Sequence, residues 1–151
     1  MFFQDPLPVG AVAPPFILPD ENGDDFILNQ NRARYVVLVF YPGDETTICT
    51  AQLCDLRDNW ERVTARGATV VGINSGDAAS HGKFKKKHSY PFPLLVDSGK
   101  RVAKSYNAGG LLTRRTVYVI DVIGKDGAVI FSRRGKPSVD EILAAIPRDV
   151  G

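Results

Sequence analysis

Apolar residues recur along this chain in two rhythms. Tyr35-Val36-Val37-Leu38-Val39-Phe40-Tyr41 and Thr69-Val70-Val71-Gly72-Ile73-Asn74 are short, nearly unbroken apolar runs rich in β-branched residues. Such runs predict strands covered on both faces. Phe16-Ile17-Leu18-Pro19 and Phe26-Ile27-Leu28 flank Asp20-Glu21-Asn22-Gly23-Asp24-Asp25, and turn residues between two apolar runs predict a hairpin. After the first buried run the period lengthens. Leu53, Leu56, Trp60 and Val63 recur at spacings of three and four, predicting a helix from Thr46 or Thr47, either of which could cap it, to about Ala65. Gly67 is placed to stop it.

Further on, residues 75–89 predict a helix starting around Asp77. Phe92–Asp97 is extended, with Pro93 marking a sheet edge. Lys100–Tyr106 is a short helix. Thr116–Ile120 and Ala128–Phe131 bracket a turn containing Gly124 and Gly127, and Ser138 caps a last helix with Asp140 and Glu141 in its first turn, ending near Pro147. Residues 1–13, with several prolines and small residues, form a loose lead-in. Strands alternating with helices predict an α/β fold. The closing strand–strand–helix makes the sheet mixed.

A chain of 151 residues fits one domain, residues 1–151, with no internal repeat. A formal charge of +2 is too small to point to a nucleic-acid partner. Lys83-Phe84-Lys85-Lys86-Lys87-His88 reads as a solvated helix face with Phe84 as its core anchor. No run approaches the length of a membrane span, and the first residues show no secretory pattern, so a cytoplasmic protein is expected. No phosphate-binding glycine fingerprint suggests a nucleotide, and no cofactor is expected. Cys-x4-Cys and His81-x6-His88 fall outside common zinc spacings, so no metal is expected either.

The chemistry concentrates at sulfur. The two cysteines, Cys49 and Cys54, lie where the first central strand hands over to a helix. The first helical turn has unpaired N–H groups and partial positive charge, which favour a thiolate and hence a nucleophile. Pro42 fixes the preceding turn, and Thr46 offers a hydroxyl one helical turn before Cys49. Residues five apart on an intact helix have Cα atoms about 8.7 Å apart, beyond the reach of about 7 Å that a disulfide allows. A static crosslink between Cys49 and Cys54 therefore conflicts with the helix. Either the two never bond, or the turn unwinds when they do. Unwinding has a use: Cys49 becomes a sulfenic acid on meeting an oxidant, and Cys54 then condenses with it.

The spacing Pro42-x3-Thr46-x2-Cys49 resembles the active-site signature of peroxiredoxins. Thr50–Cys54 and Leu56-Arg57-Asp58 resemble their Q-type group, the bacterioferritin comigratory proteins, although Arg57 and Asp58 read equally well as solvent-facing charges. The resemblance continues through Val9-Gly10, Leu18-Pro19-Asp20, Val71-Gly72-Ile73, Ser80-His81 and Phe92–Asp97. It implies a thioredoxin-like fold, with a central mixed sheet flanked by helices and an N-terminal hairpin. It also implies reduction of hydrogen peroxide and organic hydroperoxides. By the same resemblance Cys49 is the peroxidatic and Cys54 the resolving cysteine, with Thr46 and Pro42 beside them. The family's arginine falls on Arg115, counted back from Ile120-Asp121, with Arg114 as the alternative should the hairpin register shift. The implied reductant is thioredoxin or a similar dithiol. An intramolecular disulfide needs no partner subunit, so a monomer is expected.

The chain departs from the family pattern in having Thr47-Ile48 where Pro-Gly is common, and a longer hairpin turn over 121–127. Two other readings share the same cysteines. A protein thiol–disulfide oxidoreductase usually has Cys-x2-Cys, which this chain lacks. A redox sensor would oxidise once, where an enzyme turns over.

Overall fold

The computed structural model describes residues 4–30, 33–122 and 127–148. Near the N-terminus, β1 (Ile17–Pro19) pairs antiparallel with β2 (Asp25–Ile27), as the turn residues between them predict. β3 (Tyr35–Phe40) is buried at all six positions. It forms the middle of a five-stranded sheet of order β5-β4-β3-β6-β7. β4 (Ala68–Asn74) lies parallel to β3, and β5 (Leu94–Val96) parallel to β4 at one edge. β6 (Thr116–Asp121) and β7 (Ala128–Arg134) add antiparallel neighbours, so the sheet is mixed. Their connecting turn at 123–126, including Gly124, falls outside the described residues.

Because successive side chains of a strand face opposite ways, β3 feeds two cores. Tyr35, Val37 and Val39 pack with Leu53, Leu56, Phe84 and Ile142 on one face. Val36, Leu38 and Phe40 pack with Phe16, Leu28 and Tyr106 on the other. The first face is covered by α1 (Thr47–Asp58), α2 (Trp60–Ala65), α3 (Ala78–His88) and α5 (Val139–Ala144). The second is covered by the hairpin and α4 (Arg101–Ser105).

One helix is expected through Ala65, but there are two. Asn59 interrupts them at φ −111°, ψ 21°. Its side-chain amide donates to the Asp55 carbonyl at 2.8 Å, a local bond that competes with helix continuation. Gly67, at φ +72°, ends the segment as expected. Gly72 leaves room on the sheet for the side chains of Leu94 and Tyr41. A Cβ there would lie 2.8 Å from Leu94 Cδ2 and 3.0 Å from Tyr41 Cε1, with Leu53 of α1 just behind. Ser138 caps α5 in a complete capping box with Glu141. Among the described residues no helix is long and apolar enough to cross a membrane.

Candidate active site

β3 runs into Tyr41, and the chain crosses Pro42–Thr46 before entering α1. The first helical hydrogen bond runs from the Thr50 amide to the Thr46 carbonyl at 2.9 Å. Cys49 is therefore the third residue of the helix, among the N–H groups that have no intrahelical acceptor. It is fully buried and a free thiol, with neighbours in the α1-side core.

Arg115 reaches this sulfur from just before β6. Its Nη1 lies 3.3 Å from Cys49 Sγ and 3.4 Å from Gln52 Oε1. Gln52 stands one helical turn after Cys49, is buried, and leaves its Nε2 without a partner. The Arg114 charge is felt at Arg134, whose pKa is held down first by burial and then by that charge. Of the two candidate arginines, Arg115 is the one beside the sulfur.

Thr46 occupies the N-cap position in extended conformation, yet its side chain makes no capping bond. The exposed hydroxyl donates to the Gly43 carbonyl at 3.4 Å. The expected capping hydrogen bond is therefore absent, because the preceding tight turn draws the hydroxyl backward. Pro42 is half-buried within that turn. Cys54 lies further along α1, partly buried and free, 3.6 Å from the Tyr90 hydroxyl and 4.0 Å from His88 Nδ1. Burial, then the bond to Cys54, holds the Tyr90 pKa far above the ordinary phenol value.

Sequence reasoning missed the anchor of the turn. The Asp44 carboxylate accepts from Tyr41 Oη at 2.7 Å, Ser80 Oγ at 2.6 Å and Asn74 Nδ2 at 3.3 Å. It also faces His81 Nδ1 at 2.7 Å, and His81 Nε2 meets the Leu95 carbonyl at 2.9 Å. A carbonyl can only accept, and this carboxylate already accepts from three other donors. The ring is thus pinned at both nitrogens. Burial raises the Asp44 pKa, but hydrogen bonds from His81, Ser80 and Tyr41 outweigh it and bring it below its ordinary value. Burial and the Asp44 charge keep Tyr41 protonated. No local signal identifies this cluster, because Asn74, Ser80 and His81 lie 30 to 37 residues beyond Asp44 in the chain.

Residues 9–129 match the AhpC/TSA family. The chain is 42% identical over 134 residues to the chloroplastic peroxiredoxin Q of Oryza sativa subsp. japonica, covering 85% of this chain and 60% of that protein. It is 39% identical over 142 residues to the chloroplastic peroxiredoxin Q of Sedum lineare, covering 89% of this chain and 75% of the relative. The chain thus spans about three fifths of the length of its rice relative. Its fold superposes on the crystal structure of peroxidoxin BcpB from Mycobacterium tuberculosis with a TM-score of 0.83 at 30% identity, covering 91% of this chain and 95% of that one.

Proposed function

The chain belongs to the AhpC/TSA family, and from that premise we propose that it is a thiol-dependent peroxidase acting on hydrogen peroxide and organic hydroperoxides. The observation that carries the reading is the Arg115 guanidinium at 3.3 Å from a cysteine sulfur in the first turn of a helix. The guanidinium and the free amides of that turn supply positive charge around one sulfur. The Cys49 thiolate attacks the terminal peroxide oxygen, the O–O bond breaks, and an alkoxide or hydroxide departs with the bonding pair. Arg115 donates to the oxygens as charge develops on them. Cys49 becomes a sulfenic acid.

Cys49 has no exposed surface, so peroxide enters through displacement of the 42–48 segment, whose residues Glu45 to Ile48 are all exposed. Thr46 and Pro42 border that entrance. Further opening of the turn brings Cys49 to Cys54. Their disulfide closes the oxidative half of the cycle and water leaves. Thioredoxin or a similar dithiol returns both thiols. Two free thiols used for chemistry suit a reducing, cytoplasmic setting, and resolution within one chain suits a monomer.

Mass spectrometry after one equivalent of peroxide tests the reading. The expected product is an intrachain Cys49–Cys54 crosslink, and Cys49→Ser should consume no peroxide. Undiminished consumption by that variant would overturn it.

A further inference from the structure

Cys54 is not an isolated thiol. His88, the last residue of α3, places Nδ1 4.0 Å from its sulfur. On the other side of the ring, Nε2 lies 3.4 Å from Glu45 Oε1. With the ring proton on Nε2, toward this carboxylate, the Nδ1 lone pair faces the thiol. Thiol, imidazole and carboxylate thus stand in sequence, the arrangement by which a base activates a nucleophile and a third group orients the base. The ring is held on both sides. It stacks on Tyr90 at 5.5 Å and meets Phe84 edge-on at 5.3 Å.

We propose that His88 is the proton acceptor that arms Cys54 for disulfide formation, with Glu45 as its positioning residue. The proposal rests on the peroxidase reading, since it concerns the second step of that cycle. The Cys54 S–H proton passes to His88 Nδ1. The Cys54 sulfur pair then attacks the Cys49 sulfenic sulfur, the S–S bond forms, and the S–O bond breaks with its pair on oxygen. The departing hydroxide takes the proton from the imidazolium as water, leaving His88 neutral again. No further oxidant or reductant enters.

The surrounding charges fit this use. Tyr90 Oη, 3.6 Å from Cys54 Sγ, stays protonated and can donate to the developing thiolate. The Arg57 guanidinium binds Asp58 and the His88 carbonyl, which brings positive charge to the same end of α1. Lys87 Nζ, 3.1 Å from Glu45 Oε2, steadies the carboxylate. Hydrogen bonding to Lys87 is the first cause that lowers the Glu45 pKa, so Glu45 is ionised near neutral pH. Glu45 also sits in the segment that must move for Cys49 to reach Cys54, at a positive φ of 65°. Opening the turn withdraws the carboxylate from His88, which favours onward transfer of the proton to the leaving hydroxide.

The test separates the two oxidative steps. Wild type, His88→Ala and Glu45→Gln receive one equivalent of hydrogen peroxide. Dimedone then traps sulfenic acid, and mass spectrometry follows disulfide formation over time. In His88→Ala the disulfide should form at least about tenfold more slowly, as loss of a general base predicts. The trapped sulfenic acid should rise, and free imidazole should restore resolution, which a purely structural role would not allow. Glu45→Gln should also slow disulfide formation, and the double variant with His88→Ala should be no slower than His88→Ala alone, because the carboxylate acts only through the ring. Wild-type resolution in His88→Ala, a slowing that imidazole leaves untouched, or an additive loss in the double variant would each overturn the corresponding role. Failure of the peroxidase reading looks different: no sulfenic acid forms at Cys49 even in the wild type.

Discussion

At Cys49 one cationic side chain, Arg115, stands against the sulfur, and its replacement isolates what that charge contributes. Arg115→Gln keeps a donor but removes the charge that faces the breaking O–O bond. The second-order rate of Cys49 oxidation should fall on the order of 10²–10³-fold, the usual cost of losing a donor aimed at developing charge. Arg114→Gln should leave that rate near its wild-type value, because Arg115 is the arginine that meets the sulfur. Stopped-flow measurement of the oxidation rate in both variants checks the assignment. The neighbouring Gln52 has a more modest part: its Oε1 helps hold Arg115 in place.

At the scale of elements, the helix start must be held firmly enough to place Cys49 and loosely enough to release it. Asp44 supplies the hold. With side-chain exposures of 5% for Asp44 and 0% for His81, the pair is buried, and Asp44→Asn removes the carboxylate on which His81, Ser80 and Tyr41 converge. The loss should be about 1–3 kcal/mol, the cost of leaving buried polar groups without their partner, read from urea unfolding at neutral pH. The pH dependence follows from the direction of the shift. The Asp44 pKa is lowered on folding from an ordinary value of 3.8, so its stabilisation is complete above that value and is lost as pH falls through the lower folded one. Acid unfolding of the wild type should show this loss, and Asp44→Asn should not. Release is tuned at the other end of the turn. Ile48, 55% exposed, stands in the first turn of α1 and has little packing to lose. Ile48→Gly should favour opening about twofold through backbone entropy, and disulfide formation should quicken accordingly.

For the whole molecule, the proposed cycle makes the sheet the rigid frame and α1 the part that yields. β3, β4 and β6 are almost wholly buried and pair along their lengths, whereas α1 begins in a row of exposed residues. After oxidation, hydrogen exchange should accelerate in 47–58 while β3, β4 and β6 remain protected; equal acceleration in the sheet would contradict local unwinding. Much of this frame is legible in the chain. The buried runs place β3 and β4, Asp77 and Ser138 cap α3 and α5, and Pro93 adjoins an edge strand. The break at Asn59 was not legible, because the stripe Leu53, Leu56, Trp60, Val63 continues across it while a side-chain bond interrupts the backbone. Nor was the unused hydroxyl at Thr46, whose preference is decided by the turn behind it.

The amino-acid sequence by itself determined the kinds of element, their order, and the presence of a cysteine in a first helical turn with a second thiol out of bonding reach. These depend on neighbours within a few residues, which periodicity and capping report. Only the tertiary structure decided that Arg115 and not Arg114 meets the sulfur, that Asp44 ties the turn to His81, and that His88 stands between Cys54 and Glu45. Those contacts join residues 34 to 66 positions apart, and they exist only because β3, α1, α3 and β6 pack into one sandwich.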